Sequence, residues 1–445
     1  MTSSDPCGGG GGGGGDGRAD RRRGAAVAGG RKSGRRVRIL AEGQQRLVSH
    51  MAEVAPSLPF DVDGGPPWRQ PALPPGQWHS DRWTVPGAAA APPLISWIVP
   101  VHNAAAFLAE TLASLLAQRG LPGGVRQELA LVDDASTDDS ASIALDHVPL
   151  FLARGWDVVL GRNLSGAPRG CGWGCNAAAQ LAHGRYLCFA DADDISAPDR
   201  AAAQLAAMRA AEAEHDDDDD RTLVGANFDR TPPGSTARYT EWLNRLGDGD
   251  LLLHRFVEVT LIKPTWFLRR SRWSALGGFD EHGRGTPEDM LFFYRHLEAG
   301  GRLRKAGGAG GPPLLTYRYH PTATSQAVLE HTLLVVRLRA LERQVLGGWE
   351  RFTIWNAGKQ GRRVYAALTP QHRRKVVGFC DVDARKIAQG SYFRKGMERA
   401  LPIVSFRDAV PPLLLCVKLD LTGGQFEANL ASLKLRPGID YVFFC

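Results

Sequence analysis

Tyr186-Leu187-Cys188-Phe189-Ala190-Asp191-Ala192-Asp193-Asp194 passes from five apolar residues straight into three carboxylates. Two earlier runs end the same way: residues 95–101 stop at His102-Asn103, and residues 128–132 stop at Asp133-Asp134-Ala135-Ser136. Short continuous apolar runs bounded by turn residues read as buried parallel strands. In an open α/β sheet, ligands sit beyond the carboxyl ends of such strands, so three polar strand ends point at one crevice. Between the runs, Phe107, Leu108, Leu112, Leu115 and Leu116 follow helical spacing, and Ser136 with Asp139 resembles a helix-start box. Alternating strand and helix predicts a doubly wound α/β sheet.

Asp191 and Asp193 leave a strand end one residue apart, which directs two carboxylates toward one point. Hard oxygen ligands suit Mg²⁺ or Mn²⁺ carrying a diphosphate better than Zn²⁺. An isolated Asp-x-Asp after a strand is ordinarily a solvated turn; here it stands beside two other polar strand ends.

Further along, residues 201–213 read as an alanine-rich helix, 216–220 as an acidic surface-loop insertion, and 222–226 as a strand. The pattern then becomes mixed through 266–273, a Gly277-Gly278 turn, a helix over 289–297 and a returning strand over 314–319. Residues 165–174 form a glycine-rich loop that opens a helix near Asn176. Its bare backbone lets a ligand approach, and Arg169 offers a cation for phosphate, although the spacing is not that of a phosphate loop.

Ser96-Trp97-Ile98-Val99-Pro100-Val101-His102-Asn103, Val132-Asp133-Asp134-Ala135-Ser136-Thr137-Asp138, Phe189-Ala190-Asp191-Ala192-Asp193-Asp194, Gly277-Gly278-Phe279-Asp280 and Glu288-Asp289 occur in that order. This series resembles the signatures of the family 2 inverting glycosyltransferases with the GT-A fold, over residues 93–322. The resemblance implies a nucleotide-sugar-binding domain built on a doubly wound mixed sheet. It implies that backbone around Pro100, Val101 and His102 and the side chain of Asp134 hold uracil; a carboxylate accepting the uracil N3–H is chemically apt. Asn176 would lie near the nucleotide, Asp191 would arrange the ribose, and Asp193 with His320 would hold a divalent cation, Mn²⁺ or Mg²⁺, supported by Asp194. Asp289, preceded by Glu288, would be the base that takes the acceptor proton, so that one displacement inverts the anomeric carbon. First-turn carboxylates also complement a helix dipole, a role Glu288 and Asp289 can fill at the same time.

The stretch 352–383 together with 417–424 extends the resemblance to members that galactosylate queuosine in the anticodon loop of tRNA. UDP-galactose would then be the donor and queuosine-containing tRNA the acceptor. A β-1,3-N-acetylglucosaminyltransferase acting on a galactoside is the alternative within the class. A non-catalytic nucleotide-sugar or tRNA-binding protein is the alternative outside it, although a binder needs no base. On the acceptor side, Pro264-Thr265-Trp266 can present an indole for stacking or be core, and Arg269 lies close in sequence.

From Phe352 the pattern restarts as a strand over 352–355, an Asn356-Ala357-Gly358-Lys359-Gln360-Gly361 turn, a helix over 362–368, and a strand over 376–380 ending at Asp381. This outlines a small Rossmann-like α/β domain, with a nicotinamide-dependent enzyme as its sharper reading; Asn356 stands where the first glycine of the dinucleotide fingerprint belongs. Arg362, Arg363, Arg373, Arg374 and Lys375 cluster around its first helix and are expected to grip tRNA phosphates. The domains expected are a low-complexity, disordered leader over 1–92, the catalytic domain over 93–322, a helical connector over 323–349 and the Rossmann-like domain over 350–445.

With 445 residues and 43% hydrophobic content, the chain is long enough for two or three domains with real cores. Seven cysteines, Cys7, Cys171, Cys175, Cys188, Cys380, Cys416 and Cys445, show no C-x-x-C pair, which argues against a zinc site or a disulfide framework. No long apolar run and no apolar signal core is present, so no membrane and a cytoplasmic or nuclear location are expected. The net charge of +7 is compatible with a nucleic-acid partner. Residues 1–93 hold twelve Lys/Arg against eight Asp/Glu, so more than half of that excess lies in the leader.

Overall fold

Trp78–Trp83 forms an edge strand, β1, although the sequence places it in the leader. The computed structural model describes residues 76–85, 94–215, 220–320, 327–418 and 422–444, all in one unit. The expectations for residues 1–75, 86–92 and 216–219, and for Cys7 and Cys445, fall outside the described residues. β1 has no apolar alternation of its own; tertiary pairing makes it a strand. It runs antiparallel to β4 from Trp78 opposite Asn163 to Trp83 opposite Val158. Trp78 lies over Gly161, where a Cβ would come within 2.4 Å of the indole, and meets Trp173 edge-on at 5.7 Å. Arg82 completes the junction with a 2.5 Å bond to Glu128, a fully buried carboxylate that also accepts from Ser96 Oγ and the His183 amide.

β2 (Ile95–Val101), β3 (Gln127–Asp133), β4 (Asp157–Asn163) and β5 (Tyr186–Phe189) are parallel neighbours in the order β4-β3-β2-β5. Ile95, Trp97, Val99 and Val101 enter one buried cluster and Ile98 the other, so alternate residues of β2 serve cores on both faces of the sheet. Helices Ala105–Leu116, Ser140–Ala153 and Arg200–His215 contribute to one cluster, and helix Cys171–Leu181 to the other.

After β5 the chain turns through β6 (Ile195–Ser196), then makes β7 (Thr222–Ala226), β8 (Phe228–Thr231), β9 (Phe267–Arg269), β10 (Arg302–Ala306) and β11 (Leu315–Arg318). The main sheet is mixed, in the order β1-β4-β3-β2-β5-β9-β7-β10, with β9 antiparallel to both neighbours. A second sheet, β6-β11-β8, branches off beside the acidic cluster. Two helices that no sequence signal marked, Ala237–Arg245 and Asp248–Leu253, cover this side, and helix Glu288–Glu298 lies where an apolar helix was expected.

Helix Glu330–Leu341 leads to β12 (Phe352–Trp355), β13 (Val376–Asp381), β14 (Ser391–Tyr392), β15 (Leu401–Ser405), β16 (Leu413–Leu415) and β17 (Tyr441–Phe443). Their order, β14-β15-β13-β12-β16-β17, contains five parallel strands that leave from the middle in both directions, the doubly wound arrangement. The two halves share a core: His254 stacks on Phe443 at 4.7 Å, and one buried cluster runs from Trp173 to Phe379.

Trp266, a candidate acceptor platform, belongs to that core. It is 0% exposed, donates its indole N–H to Leu261 O at 2.7 Å and packs among Phe189, Phe279 and Phe292. Trp266→Ala is expected to cost about 3–5 kcal/mol of stability, read as a lowered urea midpoint. A ring used for acceptor stacking would instead leave the midpoint near its original value.

Candidate active site

The carboxyl ends of β3, β2 and β5 stand side by side, with Val101 opposite Asp133 and Ile98 opposite Phe189. Pro100 is half-buried, Val101 buried and His102 exposed. His102 donates Nδ1–H to Asp134 O at 2.7 Å, which fixes the imidazole at the rim. Asn103, in the left-handed region at φ 50, accepts from the Thr137 amide at 2.8 Å, while its own amide donates to Ser136 Oγ at 2.9 Å. Two strand-end turns are thereby latched together before any ligand arrives.

Asp134 does not offer its carboxylate to solvent. It is 3% exposed and accepts from the amides of Arg169 and Gly170 and from Asn163 Nδ2, each at 2.7 Å. The carboxylate expected to accept uracil N3–H is instead engaged by three donors of the chain itself, and it shapes the 163–170 loop. Asn176 is likewise wholly buried, bonding to both N and O of Phe279 and to Glu281. It fastens helix Cys171–Leu181 to the Gly277-Gly278 turn, so any part it plays beside a nucleotide runs through that packing. Gly172 explains part of the glycine-rich loop by the same packing, since a Cβ there would sit 2.1 Å from Asp280 O. Arg169 stays at the mouth, its guanidinium over Trp173 at 5.1 Å and 3.7 Å from Glu281.

Beyond β5, carboxylate oxygens of Asp191, Asp193 and Asp194 lie within 4.8 Å of one another. Asp193 accepts from His320 Nε2 at 2.9 Å, and the His320 ring packs on Phe107 at 4.9 Å. Arg318, which the sequence did not single out, orients the cluster: its amide donates to Asp194 Oδ1 at 2.9 Å and its guanidinium to Asp193 O at 2.8 Å. Asp194 Oδ2 is buried and, among the described residues, has no hydrogen-bond partner. Burial, reinforced by the Asp193 and Asp191 charges, pushes the Asp194 carboxyl well above the ordinary range. Burial and then Asp191 raise Asp193 against the pull of His320. An orphaned carboxylate oxygen among like charges, with a histidine at the edge, is the donor set that a hard divalent cation fits.

Glu288 and Asp289 occupy the first turn of helix Glu288–Glu298, within reach of the Lys263 charge. Burial raises Asp289 above the usual aspartate value, opposed by the Met290 amide at 2.7 Å and by the Lys263 charge. Burial, Cys171 and Asp289 push Glu288 further up. Lys263 links the two sides. Its buried ammonium touches Asp191 Oδ1 and lies 3.2 Å from Cys171 Sγ. Burial works against its charge, yet Asp191 and Cys171 hold it well above the ordinary lysine range. A single lysine before a Pro-Thr pair carries no spacing that would have disclosed it.

Other expected residues lie elsewhere. Arg269 is buried in an ion pair with Glu212 at 2.6 Å, so it is corrected from acceptor contact to structural pair. The five basic residues of the C-terminal half are not a free patch. Arg373 donates to Ala366 O and Leu368 O, and Lys375 to Leu346 O and Gly347 O, closing ends of the chain's own helices. Arg363 pairs with Glu330 at 2.5 Å, Arg374 lies 3.9 Å from Glu398, and Arg362 covers the Tyr392 ring at 4.5 Å. In the Rossmann-like half, Asp381 is taken up by the Ala357 amide and Lys386 Nζ, both at 2.9 Å. The position where a dinucleotide ribose would seek a carboxylate is thus filled from within.

Divalent cation should stabilise the protein in a pH-dependent way. Asp193 and Asp194 bind protons more tightly folded than unfolded. Without cation, their contribution is therefore fully present below the unfolded carboxylate value of about 3.9 and is lost as pH rises through their raised folded values. Cation at a hundredfold excess over its Kd is expected to add about 2.7 kcal/mol near pH 7, shrinking toward pH 5 as protons compete. Thermal melts with and without Mn²⁺ across that range check this; equal melting temperatures at pH 7 would remove the cluster as a cation site.

Residues 96–270 match the model of the family described as Glycosyl transferase family 2, the stretch that carries all three strand ends, the acidic cluster and Lys263. The succinoglycan biosynthesis protein ExoO of Rhizobium meliloti (strain 1021) is 29% identical over 233 residues, 51% of this chain and 61% of that protein. The chain thus matches about three fifths of the length of that relative. Among solved structures, S. aureus TarS 1–349 in complex with UDP-GlcNAc is 17% identical, with 62% of this chain and 70% of that one covered at a TM-score of 0.41. The mannosyltransferase PcManGT from Pyrobaculum calidifontis, in complex with GDP-Man and Mn²⁺, is 20% identical, with 57% and 63% covered at a TM-score of 0.37. No helix among the described residues is long and apolar enough to cross a membrane.

Proposed function

We propose that this chain, whose residues 96–270 match the glycosyl transferase family 2 model, is an inverting glycosyltransferase that moves galactose from UDP-galactose to queuosine in the anticodon loop of tRNA. The observation that carries the reaction class is the pairing of two acidic groups around Lys263. On one side is the Asp191, Asp193 and Asp194 cluster, closed by His320; on the other are Glu288 and Asp289 at a helix start. Galactose, queuosine and tRNA rest on the resemblance of the C-terminal stretch.

In this reading the latched turns at Pro100, Val101 and His102 receive the uridine. Asp193, Asp194 and His320 would hold a divalent cation, with Asp191 kept in place by Lys263 beside the ribose. When bound, the cation stabilises negative charge on the departing diphosphate. Asp289 accepts the proton of the acceptor hydroxyl. The freed oxygen pair bonds to the anomeric carbon as the carbon–oxygen bond to UDP breaks, and that electron pair leaves on the β-phosphate oxygen. Attack from the face opposite UDP turns an α-linked donor into a β-linked product. Burial suits Asp289 to this task, because a carboxylate raised from its ordinary value is a stronger base when ionised.

Mass spectrometry of tRNA nucleosides from cells with and without the protein tests the reading. Loss of a queuosine–hexose on deletion supports it; an identical nucleoside profile would overturn it.

A further inference from the structure

Arg230 sits inside a box of four aromatic rings. Its guanidinium carbon lies 4.5 Å from the Tyr317 ring centroid and 5.5 Å from each of Phe228, Tyr239 and Tyr319. Three elements build the box. Arg230 and Phe228 stand on β8, Tyr317 faces Arg230 across the parallel β8–β11 pairing, and Tyr239 comes from helix Ala237–Arg245. Tyr319 is held by its amide, which donates to Thr231 O at 2.9 Å, and the residue remains 43% exposed.

Among the described residues, no carboxylate or carbonyl accepts from this guanidinium. Nε is buried without a partner, while the residue as a whole is half-buried. Ring faces offset part of the cost of holding the charge, but they do not fill five N–H donors arranged as a fork. The box also borders the site. Tyr319 immediately precedes His320, which holds Asp193, and the Tyr239 hydroxyl, pushed up by burial, senses the Glu258 and Asp289 carboxylates.

We infer that the Arg230 box is the acceptor subsite and that its ligand is a nucleotide of a single-stranded RNA segment, with a base stacked on Tyr319 and a phosphate on the Arg230 fork. Aromatic faces beside an unfilled guanidinium match the two chemistries of a nucleotide, π surface and anionic oxygens. The box itself supplies no carboxylate or amide side chain of the kind that lines the hydroxyls of a neutral glycan. This inference rests on the glycosyltransferase reading and gives its tRNA acceptor a docking point.

The test uses the full chain with a fluorescein-labelled anticodon stem-loop RNA in anisotropy titrations at several salt concentrations, with UDP affinity as the check on folding. Arg230→Gln is expected to weaken RNA binding about tenfold or more and to lower the log–log salt slope by roughly 0.7 for the lost phosphate contact. Arg230→Lys should restore the salt slope but only part of the affinity, since an ammonium keeps charge without the fork. Tyr319→Ala, at an exposed position that folding tolerates, should cost about tenfold by loss of stacking. RNA affinity equal to wild type in both Arg230→Gln and Tyr319→Ala would overturn the subsite while leaving the glycosyl-transfer reading intact. RNA binding that depends on Arg230, in a protein that never glycosylates queuosine, would sustain the subsite and overturn the queuosine acceptor. A wild-type chain that binds no RNA would overturn both.

Discussion

Asp289→Asn is expected to lower turnover by about 10²–10⁴-fold while UDP affinity stays near wild type. The substitution keeps size and the ability to accept from the Met290 amide, so the first turn of helix Glu288–Glu298 should persist. What disappears is the only proton acceptor the reading assigns to the attacking hydroxyl. Because burial raises the Asp289 value, the acid limb of kcat/KM should begin above the ordinary carboxylate range. Activity is lost as pH falls through that value and recovered as it rises, and in Asp289→Asn this limb should vanish. Turnover and UDP affinity falling together would mean that Asp289 shapes the pocket and that the base lies elsewhere.

Asp193→Asn should reduce cation-supported transfer by about 10²–10³-fold, the several kcal/mol that a cation on a leaving diphosphate supplies. Asp193 is the one member of the cluster whose carboxylate is fixed by His320, so replacement alters the ligand and leaves the backbone contact with Arg318 untouched. The melting-temperature gain from Mn²⁺ should shrink in the same variant. Full activity together with an undiminished Mn²⁺ shift would remove Asp193 from cation binding.

The parts of this site that were legible in sequence are those carried by continuous apolar runs. β2, β3 and β5 announce themselves because both faces are buried, and the carboxylates that follow them are strand ends by position alone. Burial and partner choice were not legible. Asp134 and Asn176 look like ligand contacts until the amides of 169 and 170 and the Phe279 backbone are seen to occupy them. Arg269 needed Glu212, 57 residues away, to become a structural pair. Arg373 and Lys375 read as phosphate grips until helix carbonyls claimed them. β1 has no local signal, because its stability comes from β4 and from the space that Gly161 leaves for Trp78. The Arg230 box joins a strand, its neighbour and a helix, a juxtaposition no window of sequence contains.

The most direct measurement combines purified protein, Mn²⁺, UDP-galactose and queuosine-containing tRNA, followed by nuclease digestion and mass spectrometry of the nucleosides. Queuosine heavier by one hexose, formed in step with UDP release and bearing a β linkage, is the expected result. Unmodified queuosine while UDP is released, or transfer only from UDP-N-acetylglucosamine to a galactoside, would contradict the account.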